Sequence, residues 1–252
     1  MSGCHAFIQA RMSSSRFPGK VLEPLAGLPS IVYLARRAEK ALLIDGLAVA
    51  TSTDPSDDPL AGALLAHGVP FFRGDLHDVL GRFGAAAAAT NADEVVRLTG
   101  DCPLIDPGIV DSVIQLRRDT GADYASNVDP PTFPDGLDCE VFTRNALDLA
   151  LASARLPSER EHVTLWMRSE AAALRRNNLS GLIDASALRL TVDYPDDLQV
   201  VRELVDSMPA AQSFDYYDLL RALAARRHLL DSNRHRRNEA LLAADSTHMI
   251  PR

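Results

Sequence analysis

The sequence predicts an α/β fold: a mostly parallel central sheet with helices on both faces. Two patterns carry that reading. Short apolar, β-rich segments alternate with helix-length amphipathic stretches through the first half of the chain, which is the rhythm of right-handed βαβ units. A cation-rich loop also follows the first of these segments directly. Open parallel sheets take their ligands at the carboxyl ends of the strands, so residues there are the ones to read for function.

Taken in order, the first strand is expected at His5–Ala10, an apolar run broken by Pro18 and Gly19 before a helical pattern opens near Pro29. Further strands are expected at Gly46–Ser52, Val69–Arg73 and Glu94–Thr99, with a fifth at Asp123–Asn127. Between them the apolar spacing turns helical around Ile31–Leu42, Leu60–His67, Val79–Thr90 and Ile109–Arg118. From Pro130 the alternation lapses into the turn-rich run Pro130-Pro131-Thr132-Phe133-Pro134-Asp135-Gly136. A strand at Cys139–Phe142, helices near Ala146–Ala154 and Glu161–Arg168, a strand at Leu188–Val192 and a helix at Asp197–Val205 follow. The expected organisation is one domain over residues 1–212 with an insertion at about 128–180, then a helix and polar tail over 213–252. The basic run Arg234-His235-Arg236-Arg237 reads as part of a solvated tail.

The loop after the first strand, Gln9-Ala10-Arg11-Met12-Ser13-Ser14-Ser15-Arg16-Phe17-Pro18-Gly19-Lys20, concentrates three cations among small residues. Ser13, Ser14 and Ser15 let backbone amides approach an anion, while Arg11, Arg16 and Lys20 neutralise it, which is chemistry suited to a polyphosphate. The pattern is not a Walker A loop, since Ser14 stands at the first glycine position and Val21 where the hydroxyl belongs. No G-x-G-x-x-G follows any expected strand, which argues against a dinucleotide oxidoreductase. The plainer alternative is a solvated loop that is merely basic.

Charge makes that loop a local device. The 252-residue chain carries a net charge of −8, with 46% hydrophobic and 24% charged residues, the composition of an ordinary globular protein without general attraction for nucleic acid or anionic membrane. Cys4, Cys102 and Cys139 show no metal-binding or disulfide spacing, and no apolar run reaches membrane-spanning length. A cytoplasmic protein is expected.

Two acidic turns lie at expected strand ends: Gly100-Asp101-Cys102-Pro103 and Val192-Asp193-Tyr194-Pro195-Asp196-Asp197. Asp101 and Asp193 can share one Mg²⁺, a hard cation held by one or two carboxylates plus phosphate oxygens. The alternatives are a turn aspartate at Asp101 and a helix cap at Asp193 or Asp196. Asp54, Asp57 and Asp58 read as turn and cap residues. Arg11, Ser52, Arg73 and Asp101 all lie at or just past strand ends, placed to line one crevice.

Assembled, these residues resemble the cytidylyltransferases of spore-coat polysaccharide type, relatives of the CMP-Kdo and CMP-sialic acid synthetases. The resemblance runs from Phe7 to about Leu204. It rests on the loop Gln9–Lys20, Ala50-Thr51-Ser52, Phe72-Arg73-Gly74 with Asp78, Arg97-Leu98-Thr99-Gly100-Asp101, Ser158-Glu159-Arg160-Glu161-His162-Val163 and Thr191-Val192-Asp193-Tyr194-Pro195. It implies a Rossmann-like nucleotidyltransferase fold, CTP as donor, a homodimer, and Asp101 and Asp193 as magnesium ligands. Those synthetases usually carry an acidic residue after the Gly-Asp pair, where this chain has Cys102.

On this reading Arg11, Arg16, Lys20 and Asp101 are the expected catalytic groups, and Ser13, Ser14 and Thr99 join them around the nucleotide. Thr51, Ser52, Arg73 and the backbone near Ala10 are expected at the base. Arg160 and His162 are candidates for an acceptor anion, and Asp138 or Glu140 for its hydroxyl or amine. The expected reaction transfers CMP from CTP to an acidic sugar or related anionic acceptor, in surface polysaccharide or glycoconjugate precursor synthesis, with a phosphonate as an alternative acceptor. A related glycosyltransferase and a non-catalytic nucleotide-binding protein are the rival readings; the absence of a D-x-D at either acidic turn ranks the first of them lower.

Overall fold

The computed structural model describes residues 3–208 and 213–231; the basic run at Arg234–Arg237 lies outside them. The chain enters as β1 (Gly3–Gln9), passes the cationic loop and a short hairpin, β2 (Pro24–Leu25) and β3 (Leu28–Pro29), then runs through α1 (Ser30–Ala38), β4 (Gly46–Ser52), α2 (Asp58–Ala66), β5 (Phe71–Gly74), α3 (Val79–Thr90), β6 (Ala92–Thr99) and α4 (Pro107–Thr120). It continues as β7 (Tyr124–Ser126), β8 (Glu140–Thr143), α5 (Arg144–Ser153), α6 (Pro157–Glu161), α7 (Leu165–Arg168), β9 (Arg176–Asn178), α8 (Pro195–Asp206) and α9 (Tyr216–Ala225).

The main sheet has seven strands in the order β5-β4-β1-β6-β8-β7-β9. Strand β1 is interior and pairs in parallel with both β4 and β6, while β8 runs antiparallel between β6 and β7. The sheet is therefore mostly parallel, as the βαβ rhythm requires, and the segment around residues 124–178 extends it through β7, β8 and β9. Apolar side chains from both sheet faces form two cores, one around Ile8, Val49 and Val96 beneath α1, α4 and α8, the other around Phe7, Phe83 and Phe142 beneath α3 and α5. That division follows from β1, where Phe7 and Ile8 point to opposite faces.

Local signals set the helix ends. The Asp106 carboxylate accepts from the Ile109 amide with Pro107 in the first turn, and α4 stops at Gly121 in the left-handed region. Asp78 caps α3 through the Gly81 amide, and Asn91 closes it.

Three expectations change. The expected helix at Glu161–Arg168 is two short helices, α6 and α7, separated by a turn in which Val163 has φ 47°. The stretch Leu188–Val192 joins no strand ladder: its one bridge pairs Asp135 with Arg189, and the Val192 amide donates instead to the Asp101 carbonyl at 2.7 Å. Gly136, at φ 110°, lets the turn pass against this stretch, since a Cβ there would lie 2.5 Å from the Leu190 carbonyl carbon. The β9 strand and the β2–β3 hairpin were not foreseen; both are too short to show a periodicity.

Candidate active site

The carboxyl ends of β1 and β6, the loop that follows β1, the start of β8 and the α6–α7 turn enclose a cavity of about 390 Å³. Ala10, Arg11, Ser14, Arg16, Lys20, Thr99, Asp101, Asp138, Glu140, His162 and Asp193 line it, so most of the residues singled out above converge. Thr51, Ser52, Arg73, Ser13 and Arg160 do not.

The loop is fixed from inside. The Met12 carbonyl accepts the Ser14 and Gly19 amides at 2.9 and 3.0 Å, and Gly19, at φ 76°, turns Lys20 back into the cavity. Its outer anchor is Asp57, which is 0% exposed. The Asp57 carboxylate accepts from the Met12 amide at 2.7 Å, from the Ser52 amide and Thr51 hydroxyl, each at 3.2 Å, and from the Ser52 hydroxyl. Thr51 and Ser52 are thus committed to this anchor and do not line the cavity, and Asp57 does far more than end a turn. Arg73 is likewise spent, on the Ser52 carbonyl at 2.6 Å, the Asp54 carbonyl and Asp58.

The two acidic turns meet because the stretch before Asp193 runs alongside Asp101, whose carbonyl also accepts the Thr191 hydroxyl at 3.1 Å. Between the carboxylates stands the Lys20 ammonium, 2.9 Å from Asp193 Oδ1, 3.4 Å from Asp101 Oδ2 and 2.7 Å from the Val192 carbonyl. Arg16 reaches the same Asp193 oxygen at 2.6 Å, and the buried Arg189 takes Oδ2 at 3.0 Å while bonding Asp135 and Asp197. Burial would raise the Asp193 carboxyl, but Lys20 and Arg16 outweigh it and hold the group well below the usual carboxylate range. Burial would likewise lower Lys20; Asp101 and Asp193 reverse that and keep it charged.

The opposite wall carries the groups expected for an acceptor. Glu140 lines the cavity, but its oxygens accept from Tyr124 at 2.5 Å, Thr164 at 2.7 Å and Arg97. Burial pushes Glu140 up, and Arg97, Arg168 and those hydrogen bonds bring it below its ordinary value. Glu140 is therefore a buried counter-ion, a poor match to the hydroxyl or amine contact expected of it. His162 faces the cavity with its pKa lowered, chiefly by burial. Arg160 points the other way and pairs with Asp78, tying α6 to the start of α3.

The sequence reading missed several lining residues. Arg97 bonds Gln9 Oε1 at 2.9 Å as well as Glu140; a charge inside the apolar run Val95-Val96-Arg97-Leu98 was its signal. Glu161 pairs with Arg11 at 2.8 Å. Arg82 and Arg168 line the cavity, and each has a buried Nε without a hydrogen-bond partner. Unmet guanidinium donors of this kind suit an anion or a carbonyl-bearing ligand. Cys102 is buried, and burial first, then Asp101 and Asp138, push its thiol up, so no thiolate faces the site.

A parallel-sheet cleft with a cation-rich loop at one strand end and two carboxylates held against it is suited to a polyphosphate-bearing nucleotide. Comparison with known proteins places it more narrowly. The chain belongs to the cytidylyltransferase family, whose model matches residues 5–238. It is 35% identical over 204 residues to the spore coat polysaccharide biosynthesis protein SpsF of Bacillus subtilis (strain 168), covering 78% of this chain and 84% of that one. It is 30% identical over 236 residues to the 3-deoxy-manno-octulosonate cytidylyltransferase of Anaeromyxobacter sp. (strain K), covering 79% of this chain and 96% of that protein. Among solved structures, a cytidylyltransferase from Leptospira borgpetersenii serovar Hardjo-bovis matches with TM-score 0.87 and 28% identity over 94% of this chain and 100% of that one. A CMP:2-keto-3-deoxy-manno-octonic acid synthetase complexed with CTP shares the fold, with TM-score 0.64 and 21% identity over 81% of this chain and 99% of that one. Among the described residues no helix is long and apolar enough to cross a membrane.

Proposed function

We propose that the protein transfers CMP from CTP to a small acidic acceptor, a sugar acid or a related anion, and releases pyrophosphate. The observation that carries this reading is the meeting of Arg11, Arg16 and Lys20 with Asp101 and Asp193 in one cavity, beside which the family membership makes cytidylyl transfer the chemistry. An anionic oxygen of the acceptor attacks the α-phosphorus, the bond to the oxygen bridging to the β-phosphorus breaks, and the leaving pyrophosphate carries the electron pair away. Lys20 and Arg16 stabilise that departing charge, and Arg11 acts nearer the α-phosphate. Catalysis is then mainly positioning and charge neutralisation.

Asp101 and Asp193 fit a divalent cation: oxygens of both already approach one cationic nitrogen, at 3.4 and 2.9 Å, and oxygen donors suit Mg²⁺. When bound, Mg²⁺ supplies further neutralisation across the phosphates. For the base, the Ala10 amide and Arg82 Nη1 both donate to the Ala50 carbonyl, at 3.2 and 3.1 Å. Arg82 therefore lies beside Ala10 and replaces Arg73 as the candidate base contact. For the acceptor, Arg168 with a neutral His162 replaces Arg160, and Asp138 keeps its place as a polar contact. The Bacillus relative's name supports a role in surface polysaccharide precursor synthesis, and the exposed neighbours Leu182 and Ile183 suit a homodimer contact.

The test is pyrophosphate release with each of the four nucleoside triphosphates, magnesium and a panel of sugar acids and phosphonates. CTP-dependent release with an acidic acceptor is expected. Release with another nucleotide alone, or from CTP with none of the acids, would refute the reading.

A further inference from the structure

We propose that Lys20 is an internal counter-ion that closes the Asp101–Asp193 pair to divalent metal until a triphosphate draws the ammonium away. The inference rests on the metal assignment above and adds an order of events to it.

The geometry around Lys20 is saturated. An ammonium has three protons, and Lys20 Nζ has three oxygen acceptors, on Asp193, Asp101 and Val192. Asp193 is nearly full: Lys20 and Arg16 share Oδ1 and Arg189 holds Oδ2, three cations on a group with about four acceptor sites. A divalent ion entering here without nucleotide would have to displace a paired cation and then sit beside it, with like charges a few ångströms apart in a poorly solvated pocket. A triphosphate reverses this balance, because its oxygens offer Lys20 and Arg16 better partners than carboxylates already shared.

The parts permit such an exchange. The backbone on both sides of the loop is fixed, by the Gly19 amide to the Met12 carbonyl and by the Met12 amide to Asp57. Lys20 nevertheless carries its charge on a flexible four-carbon stem, so the ammonium can move without the loop unfolding. Arg189 can remain on Asp197 and Asp135, at 2.9 and 3.0 Å, when a metal claims part of Asp193. Metal and nucleotide would then bind with positive coupling. By linkage each would tighten the other by the same factor, expected at about 10- to 100-fold.

The experiment measures Mn²⁺ binding to the full chain, without turnover, from loss of the free-ion electron paramagnetic resonance signal. It compares protein alone with protein in excess over α,β-methylene-CTP, which cannot release pyrophosphate, and subtracts a titration of the analogue alone because its phosphates bind Mn²⁺ themselves. The wild type should bind Mn²⁺ at least tenfold tighter with the analogue. Lys20→Met, with its fold checked by circular dichroism, should bind Mn²⁺ alone at least tenfold tighter than wild type alone, and adding Asp193→Asn should abolish that gain. Equal wild-type affinity with and without the analogue would overturn the gate and leave the metal site standing, and does so even if Lys20→Met fails to fold. A folded Lys20→Met no tighter than wild type would overturn it as well. Analogue binding with no Mn²⁺ bound under any condition would overturn the metal assignment itself, and the gate with it.

Discussion

Replacing Asp57 with alanine should loosen the cationic loop and destabilise the fold together, although Asp57 lies outside the cavity. Its carboxylate is fully buried and collects four hydrogen bonds, two of them from the backbone amides of Met12 and Ser52. The Thr51 and Ser52 hydroxyls can rotate toward other acceptors; the Ser52 hydroxyl already accepts from the Asp54 amide at 3.2 Å. The two amides cannot turn. At about 1–3 kcal/mol for each buried donor left unmet, Asp57→Ala should cost about 2–6 kcal/mol. Asp57→Asn, which keeps the shape and one acceptor oxygen, should fall near the lower end. Urea denaturation gives the stability term, and the Michaelis constant for CTP, measured on the fraction that stays folded, reports the loop. The expected result is a lower urea midpoint for both variants, with a raised CTP constant for Asp57→Ala. A loss under about 1 kcal/mol with an unchanged CTP constant would refute the argument that Asp57 anchors residues 12–20.

Arg189→Met should cost about 3–5 kcal/mol, because it removes the buried cation that Asp135, Asp193 and Asp197 share; thermal denaturation checks this. Arg160→Ala removes a partly exposed pair with Asp78 and should change stability by no more than about 1 kcal/mol. Its acceptor Michaelis constant should not move, whereas Arg168→Ala should raise that constant about 10- to 100-fold at constant CTP affinity. Asp193 and Glu140 both have folded values below their ordinary ones. Their stabilisation is thus complete above the unfolded carboxylate values of about 4 and lost as pH falls through the folded values. His162 has the opposite charge type with a lowered folded value, so its protonation in the unfolded chain adds a further loss starting below about pH 6.5. Denaturant midpoints across pH should show this two-part decline, and His162→Gln should remove the part near neutrality.

The chemistry-bearing turns were legible because their residue types are unusual where they stand: three cations at one strand end, an aspartate at another, and a second aspartate after the strand-like run Leu188–Val192. What the sequence could not give was direction. Thr51, Ser52 and Arg73 sit at strand ends as expected, yet a buried acid and two carbonyls claim them, and nothing in a linear pattern marks Asp57 as more than a turn residue. Arg168 was illegible for another reason. It reaches the cavity because Val163 adopts a left-handed backbone that breaks the expected helix and re-aims α7, a conformation a β-branched residue takes only under tertiary constraint. Leu188–Val192 has the composition of a strand, but its hydrogen bonds go to Asp135 and Asp101, so it serves to carry Asp193 to its partner.

A cleft proposed to take phosphates yet lined by carboxylates looks self-defeating until the state before ligand arrives is considered. Cations left unpaired in a cavity of an acidic protein would repel one another across it, or swing out to solvent. Here Arg11 is held by Glu161, Arg16 and Lys20 by Asp193, and Arg97 by Glu140. Each cation is oriented and partly desolvated before a nucleotide enters, at the expense of an ion pair that the nucleotide must break. The exchange favours binding only if the incoming anion carries more charge, or better geometry, than the carboxylate it replaces, a condition a triphosphate meets and a monophosphate product does not. On the proposed reaction the same carboxylates would then discriminate donor from product: once pyrophosphate leaves, Asp193 and Glu161 could reclaim their cations and help release the nucleotide-linked product.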